Sequence, residues 1–427
     1  MSAPASNPTH LVGIDVAKEV HVAAGIVPEG TVVFAGREIR YTRQDLDSFE
    51  TFLATQCPRE TTLIGIEATG HYWIQLRRFL VDHGWSVLVF NPVHSGVLSR
   101  ANARGRVTDA DDALTIARVL RDRIPPSQIL SPAMEHCREL TRRRALVAER
   151  RVEEIQHLQA AVDVMFPEFA AVMGRVEKAS SLAVFEMAPC SDAILATSRA
   201  RLAEVISRAS RGQSDGDHLA QILQTAAATS LARGYREAGR ETLIAHLVRA
   251  LRQLDDELEA LDRAIDPLIT TLPQEARQLA ELPGFGPITS AATIAEFGDL
   301  TRFVTVDAGG KRHVRAGAML AFAGLDPRIC QSGRWTGTPR MSKRGSPHLR
   351  RAIMLAATGA AQRDPWCKAL YLRYRQRCAV RGHWLATSHV ARHLIHAIAA
   401  ALVYGKDFTW QTYIANKKAK IVTRDAA

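Results

Sequence analysis

No Cys-x-x-Cys pair occurs among the six scattered cysteines (Cys57, Cys137, Cys190, Cys330, Cys367, Cys378), so neither a zinc site nor a disulfide framework is predicted. Unpaired thiols fit a reducing cytoplasm. The N-terminus has no charged region followed by an apolar run, so no signal peptide is expected. The apolar stretch "HLIHAIAAALVYG" is too short to span a bilayer and reads as a buried helix, so no membrane partner is expected. There is no internal repeat and no low-complexity tract. Acid is also missing where it would be expected. Between Gln331 and Arg351 stand Arg334, Arg340, Lys343, Arg344, Arg350 and Arg351, with no Asp or Glu among them. A solvated surface mixes signs and a core helix carries little charge, so this stretch is read as facing a polyanion.

What is present bounds the class. The 427 residues exceed one ordinary core, and two or three domains are expected. A hydrophobic fraction of 47% is that of a globular protein. The net charge of +11 and pI of about 9.6 point to nucleic acid, although solubility alone can also maintain such a charge.

The alternation in "THLVGIDVAKEVHVAAGIV" predicts a strand hairpin, and "GTVVFAGREIRY" a third strand. Helical spacing follows in "TRQDLDSFETFLATQ", then a short buried strand in "TTLIGIEATG", a helix in "YWIQLRRFLVDHG" ending at Gly84, a strand in "WSVLVFNP" and a helix in "DADDALTIARVLRD". This order predicts an α/β layer with a mixed sheet over residues 1–126. Residues 127–275 read as a helical linker region. It holds two long helices with Arg and Glu between apolar positions, packing as a coiled-coil-like hairpin around short Ala- and Ser-rich helices. Residues 276–427 read as a third, helical domain.

Four acids of the first domain stand out. Asp15 lies inside a Val/Ile strand, and Glu67 repeats this at the end of another. An acid there is costly unless it is paired or binds a metal. Asp109 and Asp112 are three apart and share a helical face, whereas Asp111 is rotated away to solvent or to the helix cap. Together the four predict a hard-oxygen site for Mg²⁺ or Mn²⁺, where two ions roughly 4 Å apart would clamp the oxygens of a phosphodiester. The ordinary alternatives are an Asp15–Lys18 pair and an N-cap at Thr108–Asp109. Actin-like ATPases also open with a strand Asp, but need Gly and Thr where this chain has Val16, Ala17 and Lys18.

In "ELPGFGPITSAATIAEFG", Gly284 and Gly286 occupy a turn between helices. That pattern matches a helix-hairpin-helix, whose backbone N–H groups can face phosphate; a plain glycine turn is the alternative. Gly, Thr and Pro from Gly333 to Pro347 predict an extended loop, and Ser346 with Pro347 a helix start. Ser332 sits among the basic residues without a local His or Asp. As a cap or solvated residue it would be ordinary; as a nucleophile it would rely on cations to stabilise the transition state.

The series "GIDVAKE", "IEATGHYW", "NP", "TDADDA", "LPGFGPITSAATIAEFGD", "FAGLDP", "QSGRWTG" and "RMSKRGSPHLRRA" resembles the insertion-sequence-110 family of transposases. The resemblance covers most of the chain apart from the middle helices. It implies a RuvC-like, ribonuclease-H-fold domain with a DEDD metal site (Asp15, Glu67, Asp109, Asp112), a coiled-coil linker, and a helical transposase domain whose catalytic serine is Ser332. It also implies double-stranded donor and target DNA, a noncoding bridge RNA as guide, and a transient phosphoserine link. A homo-oligomer, dimer or tetramer, is implied as well, in which the serine of one subunit completes the tetrad of another. A cytoplasmic, nucleoid-associated location follows. The chain departs from the family in having Val107 where Lys usually precedes Thr-Asp, and a longer link between Phe303 and Met319. A Holliday-junction-type nuclease using water in place of Ser332 is the alternative enzyme, and a non-catalytic nucleic-acid-binding protein the third class.

Overall fold

The structure, a computed structural model, describes residues 8–68, 70–90, 108–122, 130–235, 237–272, 278–328, 331–332, 335–336, 340–376 and 382–425. It divides into two compact units, residues 1–129 and 130–427.

The first unit is built on strands β1 (His10–Asp15), β2 (Val20–Ile26), β3 (Val32–Arg40), β4 (Thr62–Glu67) and β5 (Ser86–Phe90), in the order β3-β2-β1-β4-β5. The β1–β2 and β2–β3 pairs are antiparallel, and β1–β4 and β4–β5 are parallel. Successive residues of a strand face opposite sides. Val12, Ile14, Ile64 and Ile66 therefore bury one face against Phe49 and Leu53 of α1 (Arg43–Gln56) and Leu76 and Leu80 of α2 (Trp73–Asp82). Leu11 and Leu63 bury the other against Ala117 and Leu120 of α3 (Asp109–Arg121). The sheet is thus covered on both sides, and all eight predicted elements form.

The second unit begins with α4 (Pro132–Met165), capped by Ser131, and its partner α10 (Ala238–Thr271). Arginines of α4 reach acids of α10 along their length: Arg143 to Glu257 at 2.6 Å, Arg144 to Asp262, and Arg151 to Asp255. Five short helices lie between them, α5 (Phe169–Met173), α6 (Ala179–Met187), α7 (Ser191–Ala196), α8 (Arg199–Ala209) and α9 (Gly216–Ala228). They form one core with Leu158, Leu247 and Leu251 of the long helices. A second core joins Cys137 of α4 and Ile265 of α10 to the helices that follow: α11 (Pro287–Phe297), α12 (Ala316–Phe322), α13 (Pro347–Arg363), α14 (Pro365–Arg375), α15 (Gly382–Tyr404) and α16 (Trp410–Asp425). The longer link after Phe303 contains a small hairpin, β6 (Val304–Val306) with β7 (Arg312–Val314), whose turn is tied by Asp307 to the backbone N–H groups of Gly309 and Lys311.

One expectation is corrected. The sequence from Gly333 to Pro347 does not run as a simple extended loop. Two short pieces of it are paired backbone, β11 (Arg340–Met341) with β8 (Pro327–Arg328) and β10 (Trp335–Thr336) with β9 (Gln331–Ser332), while Ser342–Ser346 run as the predicted loop. Gly and Pro mask this in the sequence, and the β-forming Trp335 and Thr336 were the opposing signal. Cys57, Cys137, Cys190 and Cys367 are buried and unbridged. Among the described residues no helix is long and apolar enough to cross a membrane.

Candidate active site

Strand parity brings the acids together. Leu11, Gly13 and Asp15 face α3, and so do Leu63, Gly65 and Glu67 of β4. Gly13 stands beside Gly65, and Ile14 beside Ile66, so Asp15 and Glu67 end neighbouring parallel strands at the same edge. Helix α3 lies directly on this glycine pair. A Cβ on Gly13 would come 2.1 Å from the Ala113 carbonyl oxygen and 2.5 Å from the Ala117 nitrogen, and one on Gly65 would come 3.0 Å from Leu120. Only glycine lets the helix settle this low. Asp112 directly precedes the contact, and the first turn of α3 meets the end of β1.

The first turn also separates its three acids by role. Thr108 caps the helix and accepts from Asp111 N–H, while the Asp111 carboxylate accepts from the Thr108 N–H and hydroxyl, the latter at 2.8 Å. Asp111 is therefore the capping acid, which leaves Asp109 and Asp112 for the cluster. Electrostatics record the crowding. Burial, then the charges of Asp112, Glu67 and Asp109, push the Asp15 carboxyl up to about 6. Burial, then Glu67, Asp109 and Asp111, raise that of Asp112. Lys18 is not among the groups acting on Asp15, so the predicted alternative pair does not form. Among the described residues no three such side chains stand close enough together to grip an ion as placed. The four carboxylates interact but do not close into a cage.

Residues 12–167 match a family model described as a transposase, of the IS110 DEDD type, and residues 276–372 match the transposase IS116/IS110/IS902 family. The chain belongs to the IS110 family of transposases. It is 26% identical over 404 residues to an uncharacterised 44.8 kDa protein of insertion element IS116 from Streptomyces clavuligerus, covering 93% of this chain and 96% of the relative. It is also 26% identical over 306 residues to an uncharacterised 42 kDa protein of insertion element IS900 from Mycobacterium paratuberculosis, covering 69% and 71%. A transposase acts on DNA, and a DEDD domain implies a divalent metal. In this transposase the residues that could hold one are Asp15, Glu67, Asp109 and Asp112. Their hard oxygen donors fit such an ion, and so does the raised Asp15, a carboxyl that a cation would return to its charged form.

The other candidate residues lie in the second unit. Ser332 pairs with Trp335 across the β9–β10 ladder, and its side chain lies outside the described residues, as does Arg334. Arg340 pairs through its backbone with Arg328. Lys343 and Arg344 are exposed, and Lys343 holds a left-handed backbone with φ of 54°. Arg350 and Arg351 have structural partners. The guanidinium of Arg350 donates to the Ala323 carbonyl at 3.3 Å, and that of Arg351 pairs with Glu149 of α4 at 2.5 Å. Gly284 has a φ of 82° and packs its Cα face on α13, where a Cβ would come 1.9 Å from the Ala356 oxygen. Gly286 is the N-cap of α11, with open space at its Cβ position.

Sequence reasoning missed Glu296. It is buried in α11, accepts from Nε and Nη2 of Arg142 on α4 at 2.5 and 3.0 Å, and accepts from the Ser346 hydroxyl at 2.9 Å. Ser346 is also the predicted N-cap of α13, with Pro347 at the first position. Glu296 thus anchors the start of the helix that follows Ser332 in sequence. An acid inside the apolar run "ITSAATIAEF" was the available signal.

Proposed function

We propose that this transposase cuts and rejoins DNA through Ser332, with Asp15, Glu67, Asp109 and Asp112 holding Mg²⁺ or Mn²⁺, to move its own insertion sequence under the guidance of a bridge RNA. The observation that carries the reading is the grouping of four interacting carboxylates on the α3 face of β1 and β4, with Asp15 pushed up to about 6. A RuvC-like ribonuclease-H fold is supported by the strand order, with three antiparallel strands followed by two parallel ones. The α4–α10 hairpin acts as a coiled-coil linker to a transposase domain over 276–427, in which the Gly284–Gly286 turn is the helix-hairpin-helix. Donor and target duplexes and the bridge RNA are the partners. Arg334, Arg340, Lys343, Arg344, Arg350 and Arg351 hold phosphates, the last two after exchanging their internal partners. The protein works as a dimer or tetramer in the cytoplasm, on the nucleoid.

The chemistry assigned to the chain is a displacement. As Ser332 Oγ bonds to phosphorus it gives up its proton, and the leaving strand oxygen takes one up. A divalent cation bound by the four acids supplies charge neutralisation for the phosphate. The serine must come within about 3.5 Å of phosphorus to attack. The tetrad and Ser332 belong to separate units, and in the assembly one subunit's serine serves another's tetrad.

The test is a denaturing gel of enzyme with labelled DNA. Wild type should give a covalent protein–DNA band and Ser332→Ala none, and a mixture of Ser332→Ala with Asp15→Asn should recover part of the activity. A band that persists in Ser332→Ala assigns the nucleophile elsewhere. Cleavage without any band makes water the attacker and leaves a Holliday-junction-type nuclease.

A further inference from the structure

From Pro365 to Lys406 the chain contains no Asp or Glu, yet it carries Lys368, Arg373, Arg375, Arg377, Arg381 and Arg392. Helices α14 and α15 pack together within this stretch. Their shared face is aromatic as well as basic. Tyr371 Oη and His383 Nδ1 are 2.9 Å apart, and Arg375 donates to the same Oη at 2.7 Å. The His383 ring lies 5.6 Å from that of Trp384, and Tyr374 stacks on His389 at 3.6 Å with only 7° between planes. Trp384 itself is 67% exposed.

A tryptophan so open does little for the core, and its flat ring is left available for stacking. Its setting decides the kind of partner. A protein interface of ordinary type surrounds an exposed indole with apolar area and charges of both signs. Here ring packs on ring, Arg375 is bonded to Tyr371, and the charge along both helices is of one sign. Such a pairing of flat, pre-ordered rings with cations fits bases that stack and a backbone that is anionic. A duplex hides its base faces, so the chemistry fits an unpaired strand.

We propose that the α14–α15 face is a stacking platform for an unpaired DNA strand, with Trp384 taking a base face and Arg373 and Arg375 the flanking phosphates. DNA is the strand assigned because it is the partner that the transposase family implies. The platform is independent of Ser332, so its failure and that of the nucleophile assignment are distinguishable.

The experiment measures fluorescence anisotropy of labelled 20-nucleotide DNA, single-stranded and duplex, and of RNA of the same sequence, at one fixed salt concentration. The full-length protein is compared with Trp384→Ala and Trp384→Phe. Loss of one stacked base weakens single-strand binding by roughly tenfold. Trp384→Ala should show that loss, with duplex binding unchanged within twofold, and Trp384→Phe should recover most of it. Unchanged single-strand affinity, or an equal loss for duplex, overturns the platform. A larger loss for RNA than for DNA overturns the assignment to DNA. A change in sedimentation coefficient for Trp384→Ala makes the face a contact between subunits. Unaltered thermal midpoints of the variants show that the fold is kept.

Discussion

The two units treat their acids in opposite ways. In the sheet unit, four carboxylates are gathered at one strand edge, where burial and the neighbouring acids raise Asp15 and Asp112. In the helical unit, the acids of α10 and α11 are met by arginines of α4, among them Glu296, Glu257, Asp262 and Asp255. Packing is good in both, so fold quality does not distinguish them. The difference is whether the fold neutralises its own charges. Where it does, the charges are scaffold. Where it gathers them, they oppose one another until something of opposite charge arrives from outside, and a DEDD domain implies a divalent metal.

The sharpest break of that contrast removes one acid from each side. Asp15→Asn should reduce DNA cleavage on the order of 10³-fold or more, as when one member of a catalytic unit is lost, while raising the metal-free unfolding midpoint at pH 7.5. A midpoint that falls would mean the acids are not in conflict. In the helical unit, Arg142→Ala leaves Glu296 buried without its charge partner and should cost about 3 kcal/mol in urea unfolding. A cost under about 1 kcal/mol would show the pair to be incidental.

pH separates the units next. Asp15 titrates in the folded protein near 6, above its ordinary 3.8, so its contribution to stability is complete below 3.8 and is lost as pH rises through about 6. His393 on α15 is held down to about 4 by burial, then by Lys417, His396, His389 and Arg392. Its contribution is complete above 6.5 and is lost as pH falls towards 4. On going from pH 7.5 to pH 5, hydrogen-exchange protection corrected for intrinsic rate should therefore rise in β1 and fall in α15. Both moving the same way would remove the distinction. The smallest effect belongs to the more exposed pair, where Glu257→Ala should cost less than about 1 kcal/mol by the same urea measurement.

The sequence was most legible where periodicity is strict. The strands of the first unit alternate and its helices repeat at three and four, so their order could be read directly. Asp15 and Glu67 were visible because each breaks such a pattern, and Asp109 and Asp112 because their spacing puts them on one helical face. The role of Gly13 was hidden, since it depends on a helix about a hundred residues later in the chain. Glu296 was hidden for the same reason: its partner Arg142 is 154 residues away. The ladder around Ser332 was obscured by residues that usually mark loops. Arg350 and Arg351 read as free cations because their partners, Ala323 and Glu149, are remote in sequence.

The contact of α3 with Gly13 is main chain against main chain, with little side chain between to absorb error, whereas Gly65 meets the side chains of Leu120 and Phe90. The spacing of Asp112 from Asp15 is therefore a dimension of the backbone itself, like the gap between two machined plates. Core side chains elsewhere in the unit can drift through many substitutions without altering it. A single methyl group at residue 13 would alter it at once. Inheritance of the site thus depends not on its four acids alone but also on one residue that has no side chain.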